Sequence, residues 1–353
     1  MKIITFLKYV IRSASYGVML AVVLLLLIPE LRDHELSTWN IFQSTTQRQE
    51  PLSYAKAVNT AGPAVVNIYS SEIQNNPKYG RNNRQLKQLG SGVIMDSGGY
   101  ILTNFHVVQD GDLIEVLLQN GRQYAAELIG FDIYTDLAVL KVNGSNLPVI
   151  PQNSEQIPLA GDVVLAIGNP LNLGQTVTQG IISATGRAGL SSTSYLEFLQ
   201  IDAAINKGNS GGALVNTNGE LIGINSRQFT EINPQFDIQG ISFAVPYHLA
   251  YKVMQKIIEN GRVIRGWLGI TSTPRYLSNV KGIVIDQIAE NSPALAAGLK
   301  PGDIILQIGE VPITSITQAL DIVADTRPNT TITFKIYRQQ QHIDVPVTIV
   351  EKK

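Results

Sequence analysis

The chain of 353 residues contains no cysteine. That removes disulfides, thiolate metal sites and a cysteine nucleophile together, and leaves the redox compartment unmarked. Histidine is scarce as well: His34, His106, His248 and His342 are all there are, so few groups can do acid–base work near neutral pH. No His-Glu-x-x-His pair occurs, which argues against a zinc protease, and no glycine loop ends in Lys-Ser or Lys-Thr to cradle a phosphate. Neither sign of charge is in excess. Lys and Arg number 27 against 28 Asp and Glu, a net charge of −1, which argues against a nucleic-acid surface. Nothing calls for a metal or a cofactor.

What is present begins with an apolar N-terminus. Residues 14–28 carry no charge but are too short to cross about 30 Å of hydrocarbon; extending back to Tyr9 gives 20 residues with only Arg12 charged, and Arg12 sits near one end, where it can snorkel. The residues after Ile28 offer no Ala-x-Ala-like cleavage site, so an uncleaved anchor over 9–28 is preferred to a signal peptide. Lys2 and Lys8 precede the span and Arg12 lies near its N-terminal end, whereas Glu30, Asp33 and Glu35 follow it with Arg32. The positive-inside rule then leaves residues 1–8 in the cytoplasm and the body of the chain across the membrane. Residues 29–50 are polar and read as a tether.

From 63 to 245 short β-branched runs alternate with turn signals such as Asp96-Ser97-Gly98-Gly99, Asn120-Gly121 and Asn218-Gly219. Strands are expected over 64–69, 92–95, 113–118, 137–142, 163–167, 176–184, 220–225 and 241–245, and the polar, basic stretch 74–87 reads as a loop. The pattern is that of antiparallel barrels or a sandwich. Residues 246–260 have helical spacing and stop at Gly261, a C-cap candidate.

Ser210 lies in Gly208-Asn209-Ser210-Gly211-Gly212. A serine hydroxyl needs a neighbouring base and a cradle of N–H groups to act as a nucleophile, and glycines permit the turn that aims those groups. Taken alone, the pentapeptide could equally be a glycine hairpin. His34 is too near the membrane to share a globular site, His248 falls on the expected helix, and His342 falls in a C-terminal hairpin. His106 remains, at the end of the strand-like run Tyr100-Ile101-Leu102-Thr103-Asn104. The acid that would orient it is best sought in Asp136, at the head of the run Leu137–Val142, with Asp132 and Asp202 left open. The order His, Asp, Ser is one of the known convergent arrangements.

Thr103-Asn104-Phe105-His106-Val107, Thr135-Asp136-Leu137-Ala138-Val139-Leu140 and Gly208-Asn209-Ser210-Gly211-Gly212 resemble, in order, the three signatures of HtrA-type serine proteases. Gly168-Asn169-Pro170 and Gly180-Ile181-Ile182-Ser183-Ala184-Thr185-Gly186-Arg187 add two more blocks. Ser292-Pro293-Ala294, Ala297-Gly298-Leu299 and Gly302-Asp303-Ile304-Ile305 resemble the PDZ domain fused to such proteases. The resemblance implies a mainly β chain: a trypsin-like double β-barrel protease domain over 51–261, then a PDZ domain over 262–353, with the N-terminal transmembrane helix ahead of both.

It also implies a Ser-His-Asp triad of Ser210, His106 and Asp136, with the oxyanion held by N–H groups of Gly208 and Ser210, and of Asn209 as a further candidate. Trp267, Leu268, Gly269 and Ile270 match the loop that binds a peptide carboxylate in PDZ domains. Arg187 matches a regulatory arginine, and Gln200 lies in the stretch it acts upon. Leu171 departs from the aromatic residue usual after Gly168-Asn169-Pro170. Ala204, six before Ser210, is not an acid; with Ile205 and the Ile224-Asn225-Ser226 strand it points to a small apolar pocket for Val or Ala. The membrane-anchored, single-PDZ branch of the family further implies an envelope-stress role. There a homotrimer in the bacterial inner membrane, with protease and PDZ in the periplasm, is activated by C-terminal peptides of misfolded outer-membrane proteins and cuts a membrane anti-sigma factor. A general quality-control protease and an inactive peptide-binding scaffold are the rival readings.

Overall fold

The computed structural model describes residues 2–27, 53–76, 81–169, 174–187, 197–206, 208–228, 240–273 and 282–352. The 29–50 tether, His34 and Leu171 lie outside the described residues, as does the side chain of Arg187. Two compact units make up the chain, residues 1–53 and 54–353.

In the first unit the described residues 2–27 form a helix, α1 (Lys2–Leu27). Its Ile3–Leu24 portion is 22 residues long with mean hydropathy 1.4 and is exposed throughout. At about 1.5 Å per residue it measures roughly 33 Å, enough to cross a bilayer core. The helix starts earlier than the expected span and carries Lys8 and Arg12 within it.

The second unit opens with α2 (Ala55–Ala61) and then forms two closed six-stranded barrels. The first contains β1 (Val65–Asn76), β2 (Arg81–Ile94), β3 (Tyr100–Asn104), β4 (Leu113–Leu117), β5 (Gln123–Asp132) and β6 (Leu137–Val142), joined in the order β1-β2-β3-β6-β5-β4. The short helix α3 (Phe105–Val108) leaves the end of β3. The second contains β7 (Val163–Gly168), β8 (Thr176–Arg187), β9 (Phe198–Ile201), β10 (Ala213–Val215), β11 (Leu221–Gln228) and β12 (Ser242–Pro246), joined as β10-β11-β12-β9-β8-β7. Of the stretch 74–87, which its polarity suggests as a loop, residues 74–76 and 81–87 are strand, and 77–80 lie outside the described residues. Those residues prolong the β1–β2 ladder, with Gln74 opposite Asn83 and Asn76 opposite Arg81, because pairing satisfies their backbone groups whatever the polarity of the sequence.

Each barrel has its own core, Ile68, Ile101 and Leu140 among others in the first and Ala166, Ile201 and Leu214 in the second. A further cluster unites them with α2 and with α4 (Tyr247–Asn260). Helix α4 buries Ala250, Val253, Met254 and Ile257 and ends at Gly261, whose φ of 71° is left-handed and whose N–H donates to the Ile257 carbonyl at 2.7 Å.

Beyond α4 stand β13 (Gly266–Trp267), β14 (Ile270–Thr273), β15 (Ile283–Ile288), α5 (Pro293–Ala296), β16 (Ile304–Ile308), β17 (Val311–Pro312), α6 (Ile316–Asp325), β18 (Thr331–Arg338), β19 (Gln341–Thr348) and β20 (Val350–Glu351). The sheet runs β14-β15-β16-β18-β19 with β17 on β16, while β13 pairs with β20. Strand β14 ends the sheet order, and β15 is its one neighbour there among the described residues.

Within the second unit, β5 of the first barrel and the segment just before β13 are tied by a buried ion pair. Arg265 Nη1 and Nη2 donate to Asp132 Oδ1 and Oδ2 at 2.6 and 2.7 Å, with side chains 6% and 3% exposed. Asp132 Oδ2 also accepts from the N–H and hydroxyl of Thr135. Deleting the arginine leaves a desolvated carboxylate, so Arg265→Ala is expected to cost about 3–5 kcal/mol of stability. By contrast the Lys252–Asp325 pair is 48% and 42% exposed, and Lys252→Ala should cost at most about 1 kcal/mol. Urea unfolding of the two variants checks this; equal, small losses from both would show that the Asp132 site is wet.

Candidate active site

Strand register brings the imidazole and its acid together. In the β3–β6 pair Asn104 faces Leu137. His106, two residues past the end of β3, and Asp136, one before β6, are therefore neighbours. Asp136 Oδ2 accepts from His106 Nδ1 at 2.6 Å and Oδ1 accepts from the His106 backbone N–H at 3.0 Å. The Asp136 carbonyl accepts from the Phe105 N–H at 2.8 Å and from Asn104 Nδ2 at 2.9 Å. Asp136 itself has φ 55°, a left-handed conformation that aspartate tolerates better than most residues. A proton on Nδ1, shared with a carboxylate that is 9% exposed, leaves Nε2 free as an acceptor. The two aspartates left open by sequence are committed elsewhere: Asp132 holds Arg265, and Asp202 Oδ1 accepts from the Ile181 N–H at 2.6 Å.

The serine turn comes from the other barrel and is wedged against β3. Gly211 has φ 80°, and a Cβ there would lie 2.2 Å from the Ser91 carbonyl oxygen and 2.4 Å from Thr103 Oγ1. Only glycine fits such an approach. Asn225 closes the turn from β11, accepting at its carbonyl from the Gly211 N–H and donating its own N–H to the Gly212 carbonyl, both at 2.9 Å. Among the described residues the N–H groups of Gly208 and Ser210 donate to nothing, whereas the Asn209 N–H donates to the Asn206 carbonyl at 3.0 Å. Two spare amides therefore flank a committed one. The Ser210 hydroxyl donates to the Ser226 carbonyl at 2.9 Å, and among the described residues no hydrogen bond joins it to His106.

Ser91 carries no sign in the sequence beyond the glycines on both sides of it, and Asn104 and Ser226 stand out there only within a motif and a pocket wall, yet all three hold this machinery. Sequence reading also placed Ile205 and Ile224 beside a pocket. They are 1% and 0% exposed and belong to barrel cores, Ile205 with the second barrel and Ile224 with the cluster that unites both. Ala204 is exposed. Gln200 is half-buried in β9 opposite Ala184 of β8 and Phe243 of β12, and Arg187 pairs through its backbone with Phe198, two residues from Gln200.

Far from the triad residues in sequence, Trp267–Ile270 forms the crossing from β13 to β14. The Leu268 carbonyl accepts from the Ala294 N–H at 3.1 Å and the Gly269 carbonyl from the Ala289 N–H at 2.8 Å. The N–H groups of Leu268 and Gly269 themselves donate to nothing among the described residues. Successive spare amides of this kind form a concavity that suits an anion.

Residues 90–224 match the trypsin-like peptidase domain and residues 266–349 the PDZ domain. Over 350 residues the chain is 46% identical to the serine endoprotease DegS of Escherichia coli (strain K12), with 97% of each chain covered. The chain belongs to the HtrA family of serine proteases. Another HtrA relative, the serine endoprotease DegS of Haemophilus influenzae, is 43% identical with 98% of each chain covered. Among solved structures, the serine endoprotease from Yersinia pestis is 50% identical, covers 86% of this chain and 99% of its own, and superposes with TM-score 0.69. The HtrA-type protease AlgW with a decapeptide is 42% identical with the same coverage and TM-score 0.75. The HtrA chain described here is thus a serine endopeptidase, a trypsin-like double barrel followed by a PDZ domain, as the motifs led one to expect.

Proposed function

We propose that this protease is a membrane-anchored signalling endopeptidase of the bacterial envelope, with protease and PDZ domains, over 51–261 and 262–353, in the periplasm. His106 Nε2 takes the proton of Ser210 Oγ as it attacks the scissile carbonyl, and Asp136 orients the ring and stabilises the imidazolium. The spare N–H groups of Gly208 and Ser210 receive the oxyanion; Asn209, already bonded to Asn206, keeps the turn closed instead. An acyl-enzyme forms and water releases it. The observation that carries this reading is the 2.6 Å imidazole–carboxylate contact standing beside a serine turn with two unused amides.

Regulation is read from the rest of the chain. The resting Ser210 hydroxyl is bonded to the Ser226 carbonyl, so attack requires its side chain to turn to His106. A peptide C-terminus adding to β14, its carboxylate on the Leu268 and Gly269 amides, would favour the active arrangement by binding it more tightly. In this reading Arg187 and Gln200 take part in that coupling, the chain acts as a homotrimer, and the substrate is a membrane anti-sigma factor.

Full-length protein in detergent tests the reading. Peptides carrying the C-terminal residues of outer-membrane proteins should raise cleavage of a membrane anti-sigma factor at least tenfold, a differential binding of about 1.4 kcal/mol, with cuts after Val or Ala. The same peptides with amidated C-termini should not. Casein cleaved as fast without peptide would instead favour general quality control.

A further inference from the structure

We propose that Ser91, on β2 of the first barrel, is a positioning residue that keeps the oxyanion donors of the second barrel in place; this rests on reading Ser210 as the nucleophile. Ser91 is 0% exposed. Its Oγ accepts from the Asn169 N–H at 3.0 Å and donates to the Gly208 carbonyl at 2.6 Å. Its own N–H donates to the Ser210 carbonyl at 2.9 Å, and its carbonyl accepts from Thr103 Oγ1 at 2.8 Å. With the Asn169 N–H directed at Oγ, the hydroxyl hydrogen is directed at Gly208. One residue thus reads two carbonyls of the serine turn from across the cleft. Its strand is also pressed on the base: a Cβ on Gly90 would meet Val107 Cγ1 at 2.6 Å, next to His106.

The consequence lies in the Gly208–Asn209 peptide. Its carbonyl is held by Ser91 Oγ and its N–H by the Asn206 carbonyl at 3.0 Å. Turning that peptide over would break both bonds and strand a buried hydroxyl, which proteins avoid. It would also swing a carbonyl oxygen toward the space the Gly208 and Ser210 amides serve, where negative charge grows. Ser91 touches no substrate; it acts by keeping that dipole turned away.

Ser91→Ala in the full-length protein should lower kcat on a peptide thiobenzyl ester with Val at P1 by about 10–100-fold, somewhat less than removing one donor outright. KM should move by less than about twofold, because the interaction matters only as charge develops. A peptidyl trifluoromethyl ketone reports the same step. Ser210 Oγ bonds to the ketone carbon, the carbonyl π pair becomes the oxyanion, and the hydroxyl proton passes to His106. Its affinity should fall by the same factor as kcat, which loosened packing alone does not produce. Ser91→Cys keeps the shape and a weaker donor and should fall between the two. A kcat within twofold of the wild type in Ser91→Ala overturns the proposal, as does a lost kcat with unchanged ketone affinity. Where Ser91→Ala does not fold, Ser91→Cys within twofold of the wild type overturns it. Failure of the underlying reading is visible separately, as wild-type turnover that survives Ser210→Ala.

Discussion

Ser210→Ala should lower peptide turnover by about 10⁶-fold, the loss typical of removing the nucleophile from a Ser-His-Asp set. Little else should change. Among the described residues the hydroxyl's one hydrogen bond goes to the Ser226 carbonyl at 2.9 Å, and a neutral bond of that kind is worth only about 0.5–1.5 kcal/mol net. The turn is held by backbone bonds from Ser91, Asn206 and Asn225, none of which uses the Ser210 side chain. The variant should therefore melt near the wild type, keep the two spare amides, and bind peptide C-termini unchanged. A fluorophosphonate probe should label the wild type at Ser210 and leave the variant unlabelled. Turnover within tenfold of the wild type would end the assignment, since some other group would then be making the acyl-enzyme. The absence of cysteine from the chain removes the commonest stand-in.

Local pattern revealed some of this and was blind to the rest, for physical reasons. Leu137–Val142 was expected as a strand and is one, because its apolar side chains are buried on both faces, so the whole run reads as hydrophobic. Strand β5 (Gln123–Asp132) was overlooked. Most of its residues are at least partly exposed, so selection for apolar alternation is weak there, and its pairing with β4 and β6 is what makes it a strand. Residues 74–76 and 81–87 misled too, because their polar sequence carries no apolar alternation to read and only pairing makes them strands. At the site, His106 could be reached by elimination among four histidines, and the glycines around Ser210 announced a tight turn. What could not be read is anything set by contact across the chain. Asp132 stays a rival to Asp136 until Arg265, 133 positions away, is seen to occupy it. Ser91 lies 117 positions from the Gly208 carbonyl it holds. The left-handed backbone of Asp136 carries no local mark either, for the residue before it is threonine and no glycine is adjacent.

Asp136→Asn should cost about 10⁴-fold in kcat while leaving the fold intact. Asparagine accepts φ near 55° as readily as aspartate, so the substitution adds little backbone strain, whereas alanine would add roughly 1–2 kcal/mol. The geometry decides which way the new amide faces. Oδ1 accepts from the His106 backbone N–H at 3.0 Å, and Oδ2 faces His106 Nδ1 at 2.6 Å. An asparagine keeps its carbonyl oxygen on the backbone N–H, because an amide nitrogen there would meet donor with donor. Its NH₂ group then lies against Nδ1, which must become the acceptor. The ring proton moves to Nε2, the atom that has to receive the Ser210 proton, and the base is occupied before the reaction starts. Nitrogen NMR of the histidine ring should show the tautomer exchanged in the variant, in step with the lost turnover. A variant that keeps kcat within tenfold, or one that loses it with Nδ1 still protonated, would mean that the carboxylate acts on His106 in some other way than by fixing its proton.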